Sequence, residues 1–259
     1  MKKIFLFLSI AAAAIYGCKK DSGTKVNVNS SDVAIINSEL KGLWLYPTDA
    51  QTVTDISGSL LASNGYVPAP ALQFDGGSGV TIISNLQIKS QGTYQLSTKN
   101  GLIYLDITDS KGNDITYQVL QINSQTLELV SKAPYTYYNN STPEPAEAVS
   151  DIILQKQSSA DVTASLVKVV VISGTAFNVD IFETNTKGAD TAMLLDSRQD
   201  IKGAYTFAFP AKTGDQLNAQ TTADYSQSAF YVYYNGIPMS GSVSAAAPGF
   251  KTTSGWLVP

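Results

Sequence analysis

Short segments of alternating apolar and polar residues, separated by tight turns, run through most of this 259-residue chain. In the segment 102–108, Ile103, Leu105 and Ile107 alternate with other side chains, so they share one face of an extended strand. Asn100-Gly101 directly precedes this segment, and Asn-Gly between two such segments predicts a β-hairpin. The pattern therefore predicts an all-β protein.

Helical patterns are few and short. Asp32 is expected to cap a helical turn that runs towards Leu40, and residues 53–62 are expected to hold another. Because no longer segment keeps a helical period, we expect β-strands to carry the fold.

The chain is long enough for two folded domains. Residues 36–157 contain about eight strand candidates joined mostly by short turns, which predicts an up-and-down β-barrel. The exception is a loop expected around residues 135–147. Residues 158–259 contain strand candidates spaced about ten residues apart, which predicts an antiparallel β-sandwich.

The N-terminus has the pattern of a secretory signal. Lys2 and Lys3 precede a short, mostly apolar run, and Gly17 precedes Cys18. Ile15-Tyr16-Gly17-Cys18 resembles the lipobox of bacterial lipoproteins. The resemblance implies that residues 1–17 are a cleaved signal peptide and that the Cys18 thiol carries acyl chains such as palmitate. An ordinary cleaved signal, with Cys18 incidental, is the alternative.

Residues 18–35 are predicted to be the lipid anchor and a polar, flexible tether. The implied location is the cell envelope, where the acyl chains attach the protein to a membrane. Lys19 stands where aspartate tends to retain lipoproteins at the inner membrane, so the outer membrane is expected, with the folded part periplasmic or surface-exposed.

The inventory of reactive side chains is small. The chain has no histidine, its only cysteine is Cys18, and its only arginine is Arg198. The commonest general base and the commonest metal ligand are therefore missing, and we expect neither an enzyme nor a cofactor site. A net charge of −4 with no basic cluster also argues against nucleic-acid binding.

Two groups of aspartates are weak candidates for a metal site. Aspartates at turns commonly bind their own backbone, and the spacing of the first group does not match an EF-hand loop, so we expect no metal. The two groups are Asp106, Asp109 and Asp114, and Asp196, Asp200 and Asp215.

The segment Leu40-Lys41-Gly42-Leu43-Trp44 resembles the Gly-x-Trp opening of the lipocalin family and of shorter bacterial lipocalin-like domains. Phe74-Asp75-Gly76 and residues 92–96 also fit that pattern. The resemblance implies that Gly42 lets the first strand bend and that Trp44 plugs the closed end of the barrel. Lipocalins usually stack an arginine on this tryptophan; here Lys156 is expected to cover Trp44 through a cation–π contact.

The second domain resembles the small β-sandwich of MmpS-type membrane-associated accessory proteins. The segments that carry the resemblance are 174–179, 214–220 and Tyr234-Asn235-Gly236. It implies that the Gly-Asp pair precedes a core strand and that the Asn-Gly pair lies at the tip of a hairpin.

Five tyrosines are the candidate contact residues for a ligand or partner. Such side chains can stack on sugars or grip a protein, or they can pack the barrel rim and the core instead. The five are Tyr135, Tyr137, Tyr138, Tyr231 and Tyr233.

The first functional hypothesis is a lipid-anchored envelope protein that binds a small apolar ligand or a glycan through the barrel. The alternative is a non-catalytic structural or adhesion lipoprotein that contacts other envelope or host proteins. Side chains filling the barrel interior, such as Ile103, Leu105 and Leu129, would weaken the first hypothesis, since small barrels are often filled.

Overall fold

The computed structural model describes residues 32–67, 69–84, 88–157, 166–184, 192–223, 228–239, 242–244 and 249–259. The predicted signal peptide, Cys18 and most of the predicted tether lie outside the described residues. One helix, α1 (Asp32–Leu40), opens the described chain. It is not long and apolar enough to cross a membrane.

Nine strands build the first unit, the barrel. They are β1 (Gly42–Asp55), β2 (Leu60–Val67), β3 (Ala71–Phe74), β4 (Gly79–Ile83), β5 (Lys89–Lys99), β6 (Leu102–Asp109), β7 (Asp114–Ile122), β8 (Thr126–Asn139) and β9 (Thr142–Lys156).

The barrel closes because β1 pairs with β9 as well as with its sequence neighbours, and all these pairings are antiparallel. β2 and β3 follow each other along one edge of β1: Trp44 pairs with Leu72 of β3, and Asp49 pairs with Val67 of β2. The nine strands therefore occupy eight positions around a closed barrel. The predicted all-β class and the barrel are confirmed.

Two local predictions for the barrel are wrong. Residues 53–62 form the end of β1, a turn and the start of β2 instead of a helix, because the Asp55 carboxylate accepts backbone N–H bonds from Ser57 and Ser59, both at 2.8 Å, and closes a tight turn. The expected loop around residues 135–147 is a hairpin, since β8 and β9 stay paired as far as Asn139 and Thr142.

The barrel core is made of inward-facing apolar side chains together with residues of α1. Ile36 and Leu40 of α1 are buried in the same cluster as Trp44, so the helix covers the end of the barrel where β1 begins. The remaining members are Ala69, Leu72, Phe74, Val80, Tyr94, Ile103, Leu105, Ile107, Tyr117, Ile122, Leu127, Leu129, Ile152 and Leu154.

The second unit contains seven strands. They are β10 (Leu166–Thr184), β11 (Met193–Pro210), β12 (Gln216–Thr221), β13 (Ser228–Tyr234), β14 (Ile237–Pro238), β15 (Ser242–Ser244) and β16 (Thr252–Leu257). They form one sheet in the order β14-β13-β10-β12-β16-β15, with β11 paired to β10.

The predicted β-sandwich is not confirmed, because a single continuous sheet curves into a half-barrel. The sequence pattern predicts separate strands at residues 167–172, 177–184, 192–195 and 204–209. In the structure β10 runs unbroken through the first two of these segments, and β11 runs through the last two. The register shifts between Ser173 and Phe177, and β10 changes its neighbour from β13 to β12 across this irregularity. One long bent strand, β10, thus pairs with strands in both halves of the unit.

The two units are in direct contact. Leu45 on the outside of the barrel packs with Ala71, Ile83 and Ile237, the last from β14. The backbone N–H of Tyr46 donates to the carbonyl of Gly236 at 2.8 Å.

Candidate functional site

The end of the barrel covered by α1 is tightly sealed. Trp44 is fully buried, and its Nε1 donates to the Leu40 carbonyl at 2.7 Å. Lys156 pairs with Trp44 across β1 and β9, lies with Nζ 5.2 Å from the centre of the Trp44 ring, and donates to the Glu39 carbonyl at 2.6 Å. Gly42 has φ +128°, and a Cβ there would lie 3.1 Å from Cε of Lys156. These contacts close the barrel around Trp44.

Apolar side chains also fill the middle of the barrel. Ile103, Leu105 and Leu129 are buried and belong to one packed cluster. Close packing at this level leaves no room for an apolar cargo among these side chains. A ligand inside the barrel would therefore have to bind towards the opposite end, near the tip of the β8–β9 hairpin.

A buried carboxyl group lies inside the barrel above the apolar core. Asp49 pairs directly with Ile152, a core residue, so its side chain points to the interior. Only 5% of Asp49 is exposed. Its carboxylate accepts hydrogen bonds from Ser150 Oγ at 2.5 Å and from Gln51 Nε2 at 3.3 Å. Burial raises the pKa of Asp49, and the two hydrogen bonds oppose that rise.

The hydrogen-bond partners that the structure gives the Asp49 carboxylate, Ser150 and Gln51, are polar and uncharged. Burial, with a smaller contribution from the Asp49 charge, raises the pKa of Tyr117 to about 12. The ion pairs found among the described residues, Lys132–Glu147 and Arg198–Asp196, do not involve Asp49. A buried carboxylate held only by neutral donors keeps acceptor capacity for a ligand hydroxyl or amine.

The inner face continues from Asp49 to the rim through small residues. Ser131 faces Ser150 across β8 and β9, Ala133 faces Ala148, and Tyr135 faces Ala146. Alternation along β8 puts Tyr137 on this same face. Two aromatic rings therefore stand at the rim on the face that carries the buried carboxyl group.

The third hairpin tyrosine lies on the other face. Tyr138 is 67% exposed and pairs with Pro143, whereas Tyr135 is 47% exposed on the inner face. The structure therefore divides the three predicted contact residues between the interior side and the outer side of one hairpin.

A second aspartate with a shifted pKa lies on the outer face of β9. Burial, followed by the charges of Glu128 and Asp49, raises the pKa of Asp151 to about 6. Its Oδ1 is buried and has no hydrogen-bond partner among the described residues. Asp151 points away from the interior and is not part of the site.

Tyr231 and Tyr233 lie in the contact between the units. Both are buried there, Tyr233 to 1% exposure, and they pack with Tyr46 of β1. Their neighbours Phe230, Val232 and Tyr234 face the core of the second unit. The predicted contact face therefore contacts the barrel, and it does not offer a surface to an external partner.

The aspartates considered for metal binding have other partners. Asp109 Oδ1 accepts backbone N–H bonds from Lys111 and Asn113, and Asp106 accepts from Ser97 and Thr116. In the part of the chain that the structure describes, no three His, Cys, Asp or Glu side chains are grouped closely enough to hold a metal ion.

A shallow groove of about 540 Å³ lies beside α1. Val33, Asn37, Tyr94 and Leu96 are among the residues that line it. The Tyr94 hydroxyl donates to Asn37 Oδ1 at 2.7 Å, so these two polar groups satisfy each other.

Sequence reasoning missed Asp49, Gln51 and Ser150. The sequence predicts a first strand over residues 41–48, which stops one residue before Asp49. The alternation of Asp49, Gln51 and Val53 was the signal that the strand continues with these side chains on one face.

No family model and no curated protein matches this chain. Two solved structures show a remote similarity. Human GIVD cytosolic phospholipase A2 is 10% identical with a TM-score of 0.16, covering 83% of this chain and 30% of that chain. The paired C2 domains of Extended-Synaptotagmin 2 are 9% identical with a TM-score of 0.16, covering 84% of this chain and 91% of that chain. The chain thus spans under a third of the phospholipase, and neither similarity carries a functional argument.

Proposed function

We propose that this protein is a non-catalytic, lipid-anchored cell-envelope protein that binds a glycan at the end of its barrel opposite α1. The observation that carries the proposal is the buried Asp49 carboxyl group, which accepts hydrogen bonds from the uncharged side chains of Ser150 and Gln51 and shares the inner face with rim tyrosines. Of the small ligands considered, a glycan fits better than a wholly apolar molecule, because the apolar part of the interior is already packed.

The chemistry of the site matches a sugar. Carboxylate and amide groups such as those of Asp49 and Gln51 accept and donate hydrogen bonds to hydroxyls. The rings of Tyr135 and Tyr137 offer flat apolar faces with a polar tip, which suits the apolar face of a pyranose.

The first prediction concerns Asp49→Asn. The substitution removes the charge and one strong acceptor, so the affinity for a bound sugar is expected to fall about tenfold or more, the usual effect of losing a hydrogen bond to a charged group. The measurement is calorimetric titration with maltose, cellobiose, lactose and chitobiose. Native mass spectrometry of protein purified without detergent would complement it by showing a co-purified glycan.

The matched control is Asp106→Asn. Asp106 is also a strand carboxylate that accepts from two hydroxyls, those of Ser97 at 3.1 Å and Thr116 at 2.6 Å, but it lies on the outer face. It should leave binding unchanged. Absence of any co-purified glycan, together with no binding across a wider glycan panel, would refute the proposal.

The alternative function is a structural or adhesion role. The exposed Tyr138 on the outer face of the hairpin favours it, since an exposed aromatic side chain there is available to a protein partner. Adhesion that is lost in Tyr138→Ser but kept in Asp49→Asn would favour this alternative over glycan binding.

The membrane anchor belongs to the same proposal and rests on the lipobox-like segment that ends at Cys18. Cys18→Ser is expected to move the protein from the membrane fraction to the soluble fraction, since no thiol remains for acylation. Fractionation with labelled palmitate would test this, and Tyr16→Ala, which keeps the thiol, is the control. Label that persists in Cys18→Ser would contradict the anchor.

The family resemblances also remain proposals. The eight strand positions and the helix that covers the Trp44 end support a lipocalin-like barrel. The Asn235-Gly236 hairpin supports an MmpS-like second unit, although one continuous sheet replaces the sandwich that this resemblance implies.

A further inference from the structure

We propose that Tyr233 and Tyr231 of the second unit are positioning residues, which hold the backbone of residues 46–49 so that Asp49 projects into the barrel. The second unit then shapes the ligand site through the backbone of β1, without contacting the ligand. The expected effect on ligand binding rests on the proposed function. The positioning of Asp49 itself rests only on contacts between the two units.

The segment before Asp49 is irregular. The pairing of β1 with β9 breaks between Leu45 and Thr48, which is a bulge. Tyr46 within it has φ +53°, a left-handed conformation that is rare for a bulky aromatic residue. Such conformations persist only where surrounding contacts hold them.

The second unit supplies those contacts. Where the barrel ladder is interrupted, the Tyr46 N–H donates to the Gly236 carbonyl at 2.8 Å, and the Tyr233 hydroxyl donates to the Pro47 carbonyl at 2.9 Å. The Tyr231 hydroxyl reaches the carbonyl of Asp49 itself at 3.4 Å. Backbone groups freed by the bulge thus find partners in the second unit, as buried backbone groups require.

Ring packing fixes the same segment from the side. The rings of Tyr46 and Tyr233 meet edge to face with centroids 5.2 Å apart, and those of Tyr231 and Tyr233 stack at 6.1 Å. Lys168 Nζ, from the second unit, lies 4.5 Å from the centre of the Tyr46 ring. Because residue 46 cannot rotate freely, the direction in which β1 re-enters the barrel at Asp49 is set.

The experiment removes only hydroxyl groups. Tyr231→Phe with Tyr233→Phe, and Tyr233→Phe alone, are compared with the parent in the whole chain carrying Cys18→Ser. Tyr205→Phe is the matched control, since its hydroxyl donates to Asp196 at 2.6 Å within the second unit and does not touch β1. Circular dichroism establishes that each variant is folded.

The first readout is the titration of the Asp49 carboxyl carbon by NMR, assigned with Asp49→Asn. It needs no ligand. A loosened segment admits water to the carboxyl group, so the pKa of Asp49 is expected to fall towards its ordinary value in both Phe variants and to stay unchanged in Tyr205→Phe. The charged and titratable neighbours to follow in parallel are Tyr117, Asp151 and Glu128.

The second readout is the affinity for maltose, cellobiose, lactose and chitobiose, which is expected to fall about fivefold in the double variant, the usual effect of one or two lost hydrogen bonds. An Asp49 titration that is unchanged in folded double and single variants would overturn the inference. A shifted titration in a protein that binds no glycan would support positioning and refute the proposed function, so the two failures are distinguishable.

Discussion

Asp49 and Asp151 lie on neighbouring strands and on opposite faces of the same sheet, and both have raised pKa values for the same reason, removal of the carboxyl group from water. Their partners differ. Asp49 accepts hydrogen bonds from Ser150 and Gln51, whereas Oδ1 of Asp151 has no partner among the described residues and faces the charge of Glu128. Burial at Asp49 therefore comes with a built hydrogen-bond arrangement, and burial at Asp151 is a cost to stability.

That difference predicts the effect of Asp151→Asn. The folded pKa of Asp151, about 6, lies above the ordinary value of 3.8, so the folded state binds more protons between these values. The free energy of unfolding is then lowered as pH rises through this window, and the full penalty applies above about pH 6. Asn removes the charge, so stability at pH 7.5 should rise by about 1 kcal/mol, allowing for solvent screening of a half-buried group.

Thermal and urea unfolding at pH 7.5 and pH 4 measure this gain, which should shrink at the lower pH. Asp109→Asn is the control of opposite sign, because hydrogen bonds, first that from Asn113, lower the pKa of Asp109 and stabilise its charged form. It should destabilise the protein at pH 7.5. A gain for Asp151→Asn of equal size at both pH values would contradict the electrostatic account.

At the scale of elements, two Asn-Gly turns of the same conformation have different surroundings. Asn100-Gly101 has φ values of +53° and +74°, and Asn235-Gly236 has +52° and +80°. A Cβ at Gly101 would meet nothing within 4 Å, but at Gly236 it would lie 2.6 Å from Cδ1 of Leu45. The second turn is therefore a docking element as well as a hairpin tip.

Gly236→Ala and Gly101→Ala separate the two roles. Both place a Cβ in the left-handed region, which costs about 1 kcal/mol. Only Gly236→Ala also overpacks the contact with Leu45, so it should destabilise the protein by about 1–3 kcal/mol more. Urea unfolding measures the loss of stability in each variant. Equal losses would show that the contact between the units accommodates the added Cβ without destabilisation.

The sequence predicts those elements that depend on residues close together in the chain, and it does not predict those that depend on distant contacts. The β5–β6 hairpin was predictable because Asn100-Gly101 and the alternation of Ile103, Leu105 and Ile107 are adjacent in the chain. The bulge of β1 was not, since Tyr233, which binds its Pro47 carbonyl, lies 186 residues away. For the same reason the sequence identified Tyr233 as a contact residue without identifying its partner. The alternation of Asp49, Gln51 and Val53 indicated a strand, but nothing local indicated that the strand bends so that Asp49 is buried inside the barrel.

At the scale of the whole molecule, the contact between the two units has buried clusters of its own. Leu45 and Tyr46 of the barrel pack with Ile237, Tyr231 and Tyr233 of the second unit. Unfolding either unit would expose apolar surface of the other, so the free energies of the two units are coupled.

Calorimetry should therefore record one unfolding transition, with equal calorimetric and van't Hoff enthalpies. Tyr233→Ser removes a buried ring from the contact and should split the transition into two. Tyr138→Ser removes an exposed ring from the hairpin, so the protein should still unfold in a single transition. Two separate transitions in the unmodified protein would contradict the coupling.

The sealed end of the barrel also gives the molecule a direction. The chain enters the barrel through α1, which packs against Trp44, and the β8–β9 hairpin lies at the opposite end. With the proposed anchor at Cys18, upstream of α1, the tether would attach the barrel to the bilayer at its sealed end. The rim tyrosines would then lie at the end of the barrel opposite the point of attachment, where a polymer beyond the membrane can reach them.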